Sequence, residues 1–201
     1  LTEFCNQGII FCKFENTYTG GLNKNTPKLD KQEIQNLKIQ FEEEILSKSL
    51  NRVTHYLLSK KIEHEIRKTD QIARTAQEAA DRIECHLNQI VKSIIFSAPS
   101  SDSLVLFLTA GGNFVNTHKT ENLLGFSLQK ADAQIIRSRT GFVIGGVPPF
   151  AHKEGLAVYM DPELLNQSLL WAAAGTPFHV FSIKSDVLLA TTKAKVLGFT
   201  K

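Results

Sequence analysis

Two features of this sequence could carry chemistry: a lysine inside an apolar strand pattern, and a segment dense in glycine and proline. The lysine is Lys92, in Gln89-Ile90-Val91-Lys92-Ser93-Ile94-Ile95-Phe96. Strand side chains alternate faces, which puts its ammonium on the side of Ile94 and Phe96. Lysine is seldom fully buried without a partner. Lys92 therefore either snorkels to water at the strand's mouth or serves a site. The second feature is residues 140–152, Thr-Gly-Phe-Val-Ile-Gly-Gly-Val-Pro-Pro-Phe-Ala-His. Phe142, Val143 and Ile144 read as a short buried strand. Gly145 and Gly146 permit positive φ or close approach of backbone to a ligand. Pro148 and Pro149 then fix φ and remove two amide donors. A permissive pair followed by a rigid pair describes either a tight turn between core strands or a loop held ready for a ligand.

Other catalytic signatures are missing. The sequence contains no G-x-S-x-G elbow, Walker A loop, H-E-x-x-H or G-x-G-x-x-G motif. His55, His64, His86, His118, His152 and His179 are scattered, and His152 stands out only because it closes the Gly/Pro segment. Cys5, Cys12 and Cys85 form no paired or zinc-like framework, and a sparse, odd count fits a reducing compartment.

The elements that must position these residues can be read in order. Residues 1–29 lack periodicity, and Gly20, Gly21, Asn23, Asn25 and Pro27 make their end loop-like or disordered. Asp30 with Glu33 resembles a capping box, opening a helix that carries Ile34, Leu37, Phe41 and Ile45. A second helical stretch, about 48–61, carries Leu50, Val53 and Leu57, and the two read as separate helices or as one. An edge strand is expected at 64–68, and Thr75 with Glu78 caps a helix. Strands follow at 89–96 and 104–108, the latter near-continuously apolar and so central. Shorter strands are expected at 114–115, 126–128 and 156–160. Helices are expected from Thr117 to Gly125, from Asp132 to Thr140-Gly141, from Asp161-Pro162, and from Ser185. Residues 171–175 and 178–181 read as two strands joined by a Gly-Thr-Pro turn. Short strands interleaved with short helices, without a strict βαβα rhythm, favour a mixed-sheet α+β domain over a doubly wound parallel fold.

Bulk properties bound the function. The 201 residues with formal net charge +3 suit one domain with an appendage. So mild a charge permits an RNA or phosphate partner without arguing for one. No apolar run approaches the ~20 residues of a membrane helix, and a soluble, cytoplasmic protein is expected, with no membrane partner.

Four segments together resemble the YbaK/ProX family. They are Thr75-Ala76-Gln77-Glu78-Ala79-Ala80, Gln89-Ile90-Val91-Lys92-Ser93, the run from Thr140 through Gly145-Gly146-Val147-Pro148-Pro149-Phe150, and Trp171-Ala172-Ala173-Ala174-Gly175-Thr176-Pro177. The family comprises aminoacyl-tRNA deacylases related to the editing domain of bacterial prolyl-tRNA synthetase. The resemblance implies an α+β fold with a mixed, strongly curved β-sheet and flanking short helices, in a deacylase domain at 48–201. Residues 1–47 would be an N-terminal extension, partly disordered and then helical. The implied activity is hydrolysis, in trans, of the ester between a wrong amino acid and the 3′-terminal adenosine of tRNA. Such a second sieve is needed because pockets separate similar small side chains only ~10–200-fold. The alternative is a non-catalytic module of the same fold that binds tRNA or docks on an aminoacyl-tRNA synthetase. No cofactor or metal is implied.

By resemblance Lys92 is the catalytic residue, holding the 3′ end or neutralising developing charge. Thr140, Gly141, Gly145, Gly146, Val147, Pro148, Pro149, His152, Gly175 and His179 are the implied substrate-binding residues. Backbone N–H groups of the Gly/Pro loop suit the oxyanion of ester hydrolysis. In the absence of an obvious nucleophile or general base, water assisted by the substrate's own hydroxyl or amino group would attack. Two positions depart from the family. Ala151 stands where glycine is common, and Ala173 where members acting on cysteinyl-tRNA(Pro) carry serine; their nearby aspartate has no clear match.

Overall fold

The computed structural model describes residues 31–201, and the expectations for residues 1–30 lie outside them. The chain divides into residues 1–45 and 46–201. From Lys31 the backbone runs as one helix to Ser59 (α1), so the two helical stretches are continuous. In the larger unit α1 buries Ser49, Val53 and Leu57, with half-buried Tyr56 on the same side, the 3–4 spacing of one helical face. The helix ends in paired bonds, Ile62 N–H to Leu57 O and Lys61 N–H to Leu58 O, both 3.0 Å. Lys61 takes φ 55°, which completes a Schellman motif without glycine.

After α1 come β1 (Ile66–Lys68), α2 (Ala76–Ile83), β2 (Ile90–Ala98), β3 (Ser103–Ala110), α3 (Thr117–Leu124), β4 (Gln129–Lys130) and α4 (Ala133–Thr140). β5 (Ala157–Met160), β6 (Leu169–Ala173), β7 (His179–Lys184), α5 (Ser185–Thr192) and β8 (Lys195–Val196) complete the order. Three of the short helices start where a side chain can satisfy an orphan amide. Thr75 accepts from Glu78 N–H, Asn116 from Lys119 N–H, and Asp132 from Gln134 and Ile135 N–H. α3 and α4 stop at Gly125 and Gly141, both left-handed.

The eight strands form one mixed sheet in the order β1-β7-β6-β2-β3-β5-β8, with β4 also on β2. β2 with β3, and β6 with β7, are antiparallel, whereas β2 with β6, β3 with β5 and β5 with β8 run parallel. Val91, Ile95, Leu104, Leu106 and Leu108 face the main core, where they meet Val53, Leu57, Leu170, Phe181 and Ile183. Two smaller clusters form beside it, one of Phe107, Val105 and Phe199, the other of Ile90, Trp171, Ala80 and Ile83.

Local expectations fail at four places. Residues 142–144 are not a strand: Phe142 is buried but Ile144 is exposed, and the chain turns there. Residues 126–128 pair with nothing, the ladder forming one residue later at Gln129–Lys130. Val115 makes a lone bridge to Thr200. The short β8 was unanticipated, because two residues carry no readable period.

Candidate functional site

β3 covers one edge of β2 from Val91 to Ala98. The other edge is shared: β6 pairs with Ile90 and Val91, β4 with Phe96 and Ser97. Residues 92–95 therefore have no strand partner on that side among the described residues. Lys92 stands at the start of this opening. Ser93 Oγ, within the opening, and Thr109 Oγ1, on β3 across from Lys92, are buried without a hydrogen-bond partner among the described residues. Buried hydroxyls of this kind normally find a partner, so the opening has unused capacity for a ligand or water.

The Lys92 ammonium donates to the Asn113 carbonyl and lies 4.3 Å from the centroid of the exposed Phe114 ring. Asn113 is held in turn by buried Asp161. Its Nδ2 donates to Asp161 Oδ2 at 2.7 Å, and Ala110 N–H donates to the same oxygen at 3.3 Å. The other Asp161 oxygen takes Glu163 N–H at 3.1 Å. Burial lowers the Lys92 pKa from its usual value, against an opposing pull from Asp161.

The Gly/Pro segment is a loop that folds onto the β6–β7 turn. Gly146 N–H donates to Val143 O at 3.0 Å, with Gly145 at φ 86°, the signature of a type II turn. A Cβ on Gly146 would lie 2.7–2.9 Å from the Thr176 backbone. The two backbones thus touch where only glycine fits. Gly146 N–H is used internally, but the N–H groups of Gly145 and Val147 have no acceptor among the described residues. Thr176 is buried, and its Oγ1 takes Phe178 N–H at 3.2 Å and bonds His179 Nδ1 at 2.7 Å. From α1, the Arg52 guanidinium packs 3.8 Å from the Phe142 centroid and donates to Thr140 O at 3.2 Å.

Residues 70–191 match the family model for the aminoacyl-tRNA editing domain. The chain belongs to that family. Among its relatives, an uncharacterised protein, YwhH of Bacillus subtilis, is 27% identical over 128 residues, covering 64% of this chain and 81% of the relative. A proline–tRNA ligase of Thermoanaerobacter sp. is 28% identical over 125 residues, 57% of this chain but only 22% of the ligase. The chain thus spans about a fifth of that ligase's length. Among solved structures, a proposed trans-editing enzyme for prolyl-tRNA synthetase superposes with TM-score 0.70 at 35% identity, over 76% of this chain and 97% of that one. A scaffold used for epitope grafting gives TM-score 0.71 at 34% identity, over 78% and 99%.

In this editing domain the sequence-expected residues fall into two groups. Gly145, Gly146, Val147, Pro148, Pro149 and His152 share the loop, which Thr140 and Gly141 lead into from the end of α4; Gly175 is on the turn it packs against and His179 opens β7 just after that turn. No hydrogen bond, ion pair or ring contact joins Lys92 to any of them among the described residues. Its face of β2 is opposite the one that receives Phe142, Val147 and Phe150. It is one residue past the last β2–β6 pair, while the loop's partner turn follows β6. The two groups therefore flank the same end of β6 from opposite sides of the sheet. Asn113, Asp161, Thr176 and Arg52 were not singled out as site residues. Asp161 was read only as a helix cap, and one carboxylate oxygen does serve that cap. The other holds Asn113, a contact between residues 48 positions apart that no local pattern reports.

Two features of the loop give direct predictions. Ala151 sits at φ 63°, where a Cβ costs an L-residue roughly 1–2 kcal/mol. Ala151→Gly relieves that strain but adds entropy to the unfolded chain. It is expected to stabilise the domain by roughly 0.5–1 kcal/mol, read from the midpoint of urea unfolding; an unchanged or lower midpoint would contradict the strain.

His152 Nε2–H donates to Pro148 O at 2.8 Å, and its ring stands edge-on to Phe142 at 6.0 Å. Burial holds its pKa below the usual 6.5, helped by Arg52 and opposed by the Pro148 bond. The unfolded state then binds a proton more readily than the folded one. Stability from this group is full above about pH 6.5 and is lost as pH falls through the lower folded value. His179 is shifted the same way by burial and Lys68. Melting temperature should therefore drop on acidification from about pH 7 to pH 5, and His152→Gln should shrink the drop. An identical pH profile in the variant would remove His152 from this account.

Proposed function

We propose that this domain hydrolyses the ester between a wrong amino acid and the 3′-terminal adenosine of tRNA, acting in trans. The observation that carries the reading is the opening in the β2 edge, with Lys92 at its start and the Gly/Pro loop beside the same end of β6. Membership of the aminoacyl-tRNA editing family supports an editing role, and the structural neighbour described as a proposed trans-editing enzyme points the same way.

In the proposed reaction a water oxygen bonds to the ester carbonyl carbon and the carbonyl electrons move onto oxygen. Collapse of the tetrahedral intermediate breaks the bond to the ribose oxygen. That oxygen leaves with the proton the water gives up, carried by the adjacent ribose hydroxyl or the substrate's amino group. The chain's part is electrostatic and positional. The free N–H groups of Gly145 and Val147 are donors for the oxyanion; losing one such donor costs ~10²–10³ in rate in comparable sites. Lys92 approaches from the other face, as a cation for the terminal phosphate or the developing charge. Its bond to a neutral carbonyl, with no ion pair among the described residues, leaves the charge available.

A panel of tRNAs, each charged with a non-cognate amino acid, tests the reading. Loss of the ester above the spontaneous rate for one or a few members is expected. Salt-sensitive tRNA binding without turnover on any member would replace deacylation with the binding-module reading.

A further inference from the structure

A groove in the 46–201 unit shares no lining residue with the opening in β2. It has a volume of about 680 Å³, and its lining includes Tyr56, Lys60, Lys61, Lys184, Val187 and Lys193. We infer that this groove binds the phosphate backbone of the RNA strand whose 3′-terminal ester occupies the site. The inference rests on the deacylase reading for the position of that 3′ end.

Charge comes first. Four lysines line the groove against one glutamate, Glu63, which pairs with Lys184 at 3.3 Å. Lys60, Lys61 and Lys193 make no ion pair among the described residues. The simpler role for Lys61 and Lys193 is to offset helix dipoles, because they sit left-handed at the C-terminal ends of α1 and α5. Magnitudes decide against that as the whole account. Each helix end carries about half a negative charge. Two such ends and Glu63 still leave the groove at about +2 against its four lysines. That surplus on one face suits a polyanion.

Continuity with the loop identifies which polyanion. The Tyr56 ring, a wall of the groove, stacks on Phe150 of the Gly/Pro loop at 4.7 Å between centroids. Phe150 is buried, so the contact ties the groove wall through the core to the loop that would hold the strand's end. The apolar wall of Tyr56 and Val187 between the lysines suits a ribose-phosphate chain better than an isolated phosphate.

The test uses the whole chain and uncharged, unfractionated tRNA, with Kd measured across a salt series. The triple variant Lys60→Gln, Lys61→Gln, Lys193→Gln is compared with wild type and with a control pair outside the groove, Lys130→Gln and Arg137→Gln. Each lysine on a phosphate contributes roughly one unit to the slope of log Kd against log salt. The triple variant should lose about two to three units of slope and bind at least tenfold more weakly at low salt, with the control near wild type. Lys60→Gln alone, outside both helix caps, should lose about one unit and guards against a folding defect in the triple. Wild-type slope in both groove variants, equal loss in the control, or no binding by wild type overturns the inference. The deacylation panel is scored separately. Groove-dependent binding without hydrolysis would keep the groove and remove the deacylase reading, and hydrolysis indifferent to the groove would do the reverse.

Discussion

Lys92→Met should lower kcat/KM for deacylation by about 10²–10³-fold, the range for losing one preorganised electrostatic group, and leave the fold intact. Methionine keeps an unbranched stem against Phe114 and removes the charge. Burial is the first cause of the lowered Lys92 pKa, so the folded state disfavours this cation and its removal should not destabilise. A stable, inactive variant is the expected pair of results. Lys92→Arg adds a pH readout. The depressed Lys92 pKa means that the ammonium loses its proton below the usual 10.5. Activity, corrected for spontaneous ester loss, should fall on the alkaline side as it does so. Arginine stays charged and should push that limb upward in pH. Undiminished deacylation and tRNA affinity in Lys92→Met would remove the residue from the mechanism.

Gly146→Ala should unseat the Gly/Pro loop from the β6–β7 turn and sharply lower deacylation. Its Cβ would press 2.7–2.9 Å from three backbone atoms of Thr176, which is buried in the turn and pinned through its hydroxyl. Backbone on both sides leaves no flexible end to yield, so the loop must lift. Overpacking of this kind costs roughly 1–3 kcal/mol, and a displacement near 1 Å can cost about 10²-fold in rate. Gly145→Ala is the informative contrast. Its Cβ meets nothing nearer than Pro177 at 3.9 Å, but the backbone sits at φ 86°, so the penalty is conformational, roughly 1–2 kcal/mol. If seating on Thr176 matters, Gly146→Ala loses far more activity than Gly145→Ala at matched stability. Equal losses would show that the close approach has no functional weight.

The loop also shows how far the sequence could be read. Its composition announced a constrained backbone, and Gly145 and Ala151 do take positive φ. Its beginning was misread, because Phe142-Val143-Ile144 has the composition of a strand. Phe142 is buried under Arg52, from a helix 90 positions away, while Ile144 points to solvent at the turn. An apolar run reports what can be buried, not which residues another element will cover.

Elements whose cause lies within a few residues were legible from the sequence alone. The caps at Thr75, Asp132 and Asp161 were read from side chains that bond amides two or three positions on. β2 and β3 were read from apolar runs, and the absence of a strict βαβα rhythm gave the α+β class. Tertiary structure alone decided the sheet order, the opening in the β2 edge, the seating of Gly146 on Thr176, and the support of Lys92 through Asn113 by Asp161. Apart from the β2–β3 and β6–β7 hairpins, these join residues roughly 20 to 115 positions apart. Their energies depend on which surfaces meet after the chain folds, and nothing in the local spacing of side chains encodes that choice.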